Sequence, residues 1–125
     1  MDIRFTDREL DIIEVLWEHG PSTVAQVRAA LDDDLAYNTV LTMLRVLEEK
    51  GHVTRELEGR AHRYRPTVER DQASRSALER VTDRLFAGSS TAVLLELVGR
   101  RGLDDEELRK MRDLLNERLG TEEPS

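Results

Sequence analysis

Between Ala36 and Pro66 the chain reads AYNTVLTMLRVLEEKGHVTRELEGRAHRYRP, and no other stretch restricts its fold as tightly. Val40, Met43, Leu44 and Leu47 recur at i, i+3, i+4 and i+7, so a helix here buries one face while Asn38, Thr42, Arg45 and Glu49 run down the other. Lys50-Gly51 is a pair suited to the helix C-terminus. Beyond it, His52 to Leu57 and Ala61 to Arg65 carry enough Val, Thr, Leu and Tyr to read as strands. They flank Glu58-Gly59-Arg60, with glycine where a tight connection wants positive φ. The alternation is imperfect: Val53, Arg55 and Leu57 share a face, so Arg55 either snorkels out at the sheet edge or follows a bulge. Helix, stop and charged hairpin in that order are the second half of a winged helix-turn-helix.

The polar residue types suit nucleic acid. Asn38 and Arg45 carry groups that bond base edges bidentately, and Thr42 or Leu41 can touch a thymine methyl in the major groove. Arg55, Arg60, Arg63 and Arg65 concentrate on the hairpin, where guanidinium groups clamp phosphates and fix register without reading sequence, and His62 is expected as a further wing contact. An amphipathic surface helix beside a charge-protected hairpin edge would look similar.

Upstream, Thr6 with Glu9 forms a capping box for a first helix, Phe5 and Leu10 stand where a hydrophobic staple would close, and Gly20-Pro21 ends the element. Leu10, Ile13, Leu16 and Trp17 are its expected core stripe. A second helix starts near Thr23, with Gln26 as box partner, and its N-terminal amides are a candidate phosphate contact. Asp32-Asp33-Asp34 lacks the further oxygen ligands and glycine of a calcium loop, so no metal is expected there, and Asp34 is expected to cap the third helix.

After Pro66 only helical signals remain, roughly Glu69 to Phe86, Ser90 to Arg100 and Asp104 to Leu119. The middle stretch, VLLELV, is apolar almost all round, which a monomer's surface helix cannot satisfy. A segment this small cannot bury three such helices alone, so they are expected to pack against a second copy through Leu78, Val81, Leu85, Leu94, Leu97 and Leu115. The expected organisation is therefore mostly α. A winged helix-turn-helix of three helices and a β-hairpin wing (1–66) precedes a three-helix dimerisation region (67–120) and a disordered tail (121–125).

Three motifs carry a resemblance to a known family. Thr6-Asp7-Arg8-Glu9-Leu10 leading to Val15-Leu16-Trp17, Ala36-Tyr37-Asn38-Thr39-Val40-Leu41-Thr42, and Gly59-Arg60-Ala61-His62-Arg63-Tyr64-Arg65-Pro66 together resemble the penicillinase-repressor (BlaI/MecI/CopY) family of bacterial transcriptional regulators. The resemblance implies a dimeric DNA-binding repressor and adds Tyr37 and Thr39 to the expected DNA contacts. In antibiotic-responsive relatives a membrane sensor metalloprotease cuts the middle C-terminal helix at an Asn-Phe pair; here the matching pair is Glu96-Leu97, a departure from that pattern. The copper-responsive branch senses metal through a cysteine cluster, and this chain has no cysteine, so no metal or other cofactor is expected.

Net charge presents an objection, since −7 is unusual for a partner of a polyanion. Residues 1–35 hold 3 basic and 9 acidic side chains, 36–65 hold 6 and 4, and 66–125 hold 10 and 13, so the one positive segment is the proposed DNA surface. Catalysis is not expected, because the three histidines are scattered and neither a Ser-His-acid spacing nor a phosphate loop is present. Met1-Asp2-Ile3-Arg4-Phe5 shows no secretory leader and no apolar run reaches membrane-spanning length, which predicts a cytoplasmic protein without membrane insertion. A winged-helix regulator released by a small ligand and a helical protein adaptor are the competing readings.

Overall fold

The computed structural model of the chain describes residues 3–100 and 102–120; the tail expected over 121–125 lies outside the described residues. In chain order the elements are α1 (Asp7–His19), α2 (Val24–Ala30), α3 (Tyr37–Glu49), β1 (Val53–Glu58), β2 (Ala61–Pro66), α4 (Arg70–Leu85), α5 (Ser90–Arg100) and α6 (Asp105–Leu119). Two compact units divide within α4, one ending at Glu79 and the other beginning at Arg80.

The first unit is built on well-specified ends. Glu9 N donates to Thr6 Oγ1 at 3.1 Å and Thr6 N to Glu9 Oε1 at 2.9 Å, so the expected box starts α1. Thr23 and Gln26 close the same box on α2. At the end of α3, His52 N donates to Leu47 O and Gly51 N to Glu48 O, a Schellman motif that requires the positive φ of Gly51. The face that α1 buries is rotated from the expected stripe: Glu9, Ile12, Ile13, Val15 and Leu16 point inward, while Leu10 stays exposed. Phe5, expected to staple Leu10, packs edge-on against Trp17 and His52, with ring centroids 6.1 and 5.1 Å apart.

Val40, Leu44 and Leu47 of α3 are buried against Ile12, Ile13 and Leu16 of α1 and Val27 of α2, with Val53 and Tyr64 of the hairpin completing the core. The strands pair in continuous register from Val53↔Pro66 to Glu58↔Ala61, so no bulge intervenes and Arg55 lies on the inner face with Val53 and Leu57. The link is the two residues Gly59-Arg60, with Gly59 at φ 64 and Arg60 outside the positive region, the sign pattern of a type II′ turn. Tyr64 also exchanges backbone hydrogen bonds with Ser22, at 2.8 and 3.0 Å, which fastens β2 to the turn between α1 and α2.

The second unit has no core of its own. Asp104 caps α6 by accepting from Glu107 N at 2.9 Å, and Gly120 ends it in the left-handed conformation. Yet none of residues 80–99 and 102–120 is buried. Among the described residues no helix is long and apolar enough to cross a membrane.

Candidate functional site

The outer face of α3 is as the periodicity requires: Tyr37, Asn38, Thr39, Thr42 and Arg45 are exposed and Leu41 is half-buried at the margin of the core. Its start differs from expectation. The N-cap is Ala36, no side chain bonds the helix end, and Asp34 lies outside the first turn because Leu35 packs against the core in between. At the α2 start the expected box is present, and it occupies the Gln26 amide, one of the N-terminal amides offered as a phosphate contact. At the α3 start the Thr39 amide bonds the Ala36 carbonyl at 3.1 Å instead of a side chain.

A groove of about 390 Å³ runs between the start of α2, the face of α3 and the inner side of the wing. Thr23, Tyr37, Leu41, Arg45, Arg55, Arg60 and His62 all line it. Seven expected contacts from three elements thus converge on one surface. Asn38, Thr39 and Thr42 are exposed on α3 outside the lining of that groove.

The wing arginines divide by strand alternation. Arg60, at the tip, and Arg45 on α3 have no hydrogen-bond or ion-pair partner among the described residues. Arg55 lines the groove while its Nε lies 3.3 Å from Glu48 of α3, an ion pair that ties the wing to the helix. Arg63 projects from the other face of the sheet. There it reaches Glu58 at 2.7 Å, the Pro21 carbonyl at 3.2 Å and Gln26 Oε1 at 3.1 Å, so its guanidinium latches the wing to α2. Arg65 pairs with Glu56 at 3.3 Å on that same face. The acidic excess is gathered elsewhere: Asp11, Glu14, Glu18, Asp32 and Asp33 surround a separate concavity between α1 and the α2–α3 turn, where Arg8 bonds Asp33.

Two buried ionisable groups support α3 from behind. Glu9 is 5% exposed and accepts from Lys50 Nζ at 2.8 and 3.0 Å, so the C-cap residue of α3 is tied to the first turn of α1. Burial alone would raise the Glu9 carboxyl, but the hydrogen bond from Lys50 and those from Thr6 outweigh it and hold it below the usual carboxylate range. His52 is 2% exposed with Nδ1 unpartnered; burial and then Lys50 lower its imidazole pKa, with Glu9 acting the other way. The sequence offered Glu9 only as a capping residue, and it carried no local signal for Lys50 or His52 as its neighbours. Among the described residues no His, Cys, Asp or Glu group is arranged to hold a metal.

Residues 5–117 match the family described as Penicillinase repressor. The chain is 37% identical over 106 residues to the Transcriptional regulator BlaI of Mycobacterium tuberculosis, covering 82% of this chain and 77% of that protein. It is 24% identical over 116 residues to the Penicillinase repressor of Bacillus licheniformis, covering 91% of each. Among solved structures, the transcriptional regulator Tm0710 from Thermotoga maritima aligns with a TM-score of 0.51 at 23% identity, over 92% of this chain and 74% of that one. A MarR family protein from Bacillus stearothermophilus aligns with a TM-score of 0.51 at 22% identity, over 94% and 77%. These two share the fold.

Proposed function

Because the chain belongs to the penicillinase-repressor family, whose members are transcriptional regulators and not enzymes, we propose that it is a cytoplasmic, dimeric repressor of a pseudo-palindromic DNA operator. The observation that carries this reading is the single groove in which Tyr37, Leu41 and Arg45 of α3 face Arg55, Arg60 and His62 of the wing. In the bound state α3 occupies the major groove, Asn38, Thr42 and Arg45 reach base edges, and Arg60 neutralises a flanking phosphate. Thr23 and Thr39 add contacts at the two helix starts, and Arg63 acts by holding the wing in place.

The dimer rests on residues 67–120. Leu78, Val81, Leu85, Leu94, Leu97 and Leu115 are between 36% and 75% exposed in the single chain, in a region whose second unit buries nothing. An exposed apolar surface of this kind is what a two-fold partner covers. Release by proteolysis fits the same region. Glu96 and Leu97 are exposed in α5 of the single chain, and Leu97 is also an interface candidate, so a cut between them would break the helix that joins the dimer. Cutting there would leave each half-site bound singly and forfeit an avidity of roughly 10²- to 10⁴-fold. A membrane sensor metalloprotease is the proposed agent, as the family resemblance implies.

The test is selection of bound sequences from a random duplex pool at two salt concentrations, with the mass of the protein recorded in solution. Recovery of an inverted repeat by a dimer, with affinity falling steeply as salt rises, supports the reading. A folded dimer that enriches no sequence refutes it.

A further inference from the structure

Three arginines line the groove between α3 and the wing, and they are not equivalent. Arg45 and Arg60 have no hydrogen-bond or ion-pair partner among the described residues, whereas the Nε of Arg55 lies 3.3 Å from Glu48 Oε2. Strand alternation dictates the difference. Along the inner face of β1, Val53 is buried in the core, Arg55 comes one pleat further out, and Leu57 is exposed toward the tip. The Arg55 guanidinium therefore emerges where β1 parts from α3, and Glu48, three residues after Arg45, meets it there from the helix. Their side chains are 39% and 31% exposed, so the pair is within reach of DNA and only partly screened by water.

This ion pair acts on DNA in two ways. It draws the wing toward α3, where the like charges of Arg45 and Arg55 would otherwise push the two elements apart. It also neutralises one of the three guanidinium groups that line a groove meant for a polyanion. Affinity for arbitrary sequence follows the number of phosphates neutralised, so a released Arg55 raises it. Base readout from α3 depends on where the wing sets the register, so a loosened wing does not raise it in step. We propose that Glu48 is a specificity-determining residue of the DNA surface, a positioning residue that acts through Arg55. By holding that guanidinium it fixes the wing against α3 and withholds one phosphate contact from DNA of arbitrary sequence. The proposal rests on the repressor reading above.

Glu48→Gln removes the charge and keeps the length of the side chain. Binding of the full chain is titrated on the selected inverted repeat and on a scrambled duplex of equal length, over a series of salt concentrations. Affinity for the scrambled duplex should rise about three- to tenfold near about 0.1 M salt, with a salt slope steeper by about one. The inverted repeat should gain less, so that the ratio of the two affinities falls. Two further variants separate this role from the loss of any negative charge. Glu56→Gln makes the same charge change on the opposite face of the same strand, where Glu56 pairs with Arg65, and should leave the ratio unchanged. Arg55→Gln, made alone and together with Glu48→Gln, closes a double-mutant cycle in which Glu48→Gln no longer has an effect. An unchanged ratio in Glu48→Gln, an equal effect of Glu56→Gln, or an effect that survives Arg55→Gln overturns the proposal. Wild-type protein that enriches no inverted repeat refutes the repressor reading itself, and the role given to Glu48 falls with it.

Discussion

Replacing Lys50 by Met removes the ammonium from a carboxylate that has almost no other escape. Glu9 is 5% exposed, loses bonds of 2.8 and 3.0 Å, and keeps only the two capping interactions with Thr6. Stranding a buried charge costs about 3–5 kcal/mol, and the 38% exposure of the Lys50 side chain places this pair at the lower end. The carboxyl can also escape by taking a proton. From its ordinary value of 4.5 that costs about 3.4 kcal/mol at pH 7 and about 0.7 kcal/mol at pH 5, which caps the penalty of leaving it unpaired. Lys50→Met is therefore expected to lose about 2–3 kcal/mol at pH 7 and under about 1 kcal/mol at pH 5. Glu9→Gln retains an acceptor for the Thr6 amide and lets Lys50 return to water, so it should lose under about 1 kcal/mol. Urea unfolding at fixed protein concentration, followed by the fluorescence of Trp17, the single tryptophan, measures both. A Lys50→Met loss that is the same at pH 7 and pH 5, or a Glu9→Gln loss as large, would show that the charge pair is not what Lys50 contributes.

Arg45→Ala should cost on the order of 1–3 kcal/mol on the selected operator and relax preference at one base position, whereas Arg60→Ala should weaken all sequences alike and reduce the salt slope by about one. Uniform loss in both, read by binding titrations on variant duplexes, would remove Arg45 from base readout. Leu115 is 49% exposed in the single chain; if the dimer covers that half, Leu115→Ala loses about 1 kcal/mol per protomer, or roughly a 30-fold weaker dimer. Sedimentation equilibrium checks this, and an unchanged dimer constant places Leu115 outside the interface. Stability should also fall as pH is lowered. The folded protein holds the His52 imidazole below its ordinary 6.5 and the Glu9 carboxyl below 4.5, so in both windows the unfolded chain binds more protons. The loss begins near pH 6.5 from His52 and continues through 4.5 from Glu9, levelling off below the folded-state values. His52→Leu should flatten its upper part; a wild-type urea midpoint that stays constant from pH 7.5 to 5.5 would contradict the part given to His52.

What the sequence determined by itself is local. The boxes at Thr6/Glu9 and Thr23/Gln26, the Asp104 cap and the stop at Lys50-Gly51 join residues within a turn of one another, so spacing alone reveals them. The buried face of α3 and the bounds of α5 were legible for the same reason, since a helical period needs no knowledge of the partner. The family motifs likewise pointed to α3 and the wing together.

Only the tertiary structure decided which of several locally equivalent residues face where. Arg60 and Arg63 look alike in the sequence, yet the register from Val53↔Pro66 to Glu58↔Ala61 turns Arg63 toward Glu58 and Gln26, while the turn leaves Arg60 in the groove. Ile12 displaced Leu10 from the core because the rotation of α1 is set by the helices it packs on. Asp34 was a sound cap by residue type, but the packing of Leu35 starts α3 after Ala36. The ion pair of Glu9 with Lys50 and the bond of Trp17 to Val68 span separations of 41 and 51 residues. Contacts of that range depend on how whole elements dock, and no periodicity or cap signal within one element encodes it.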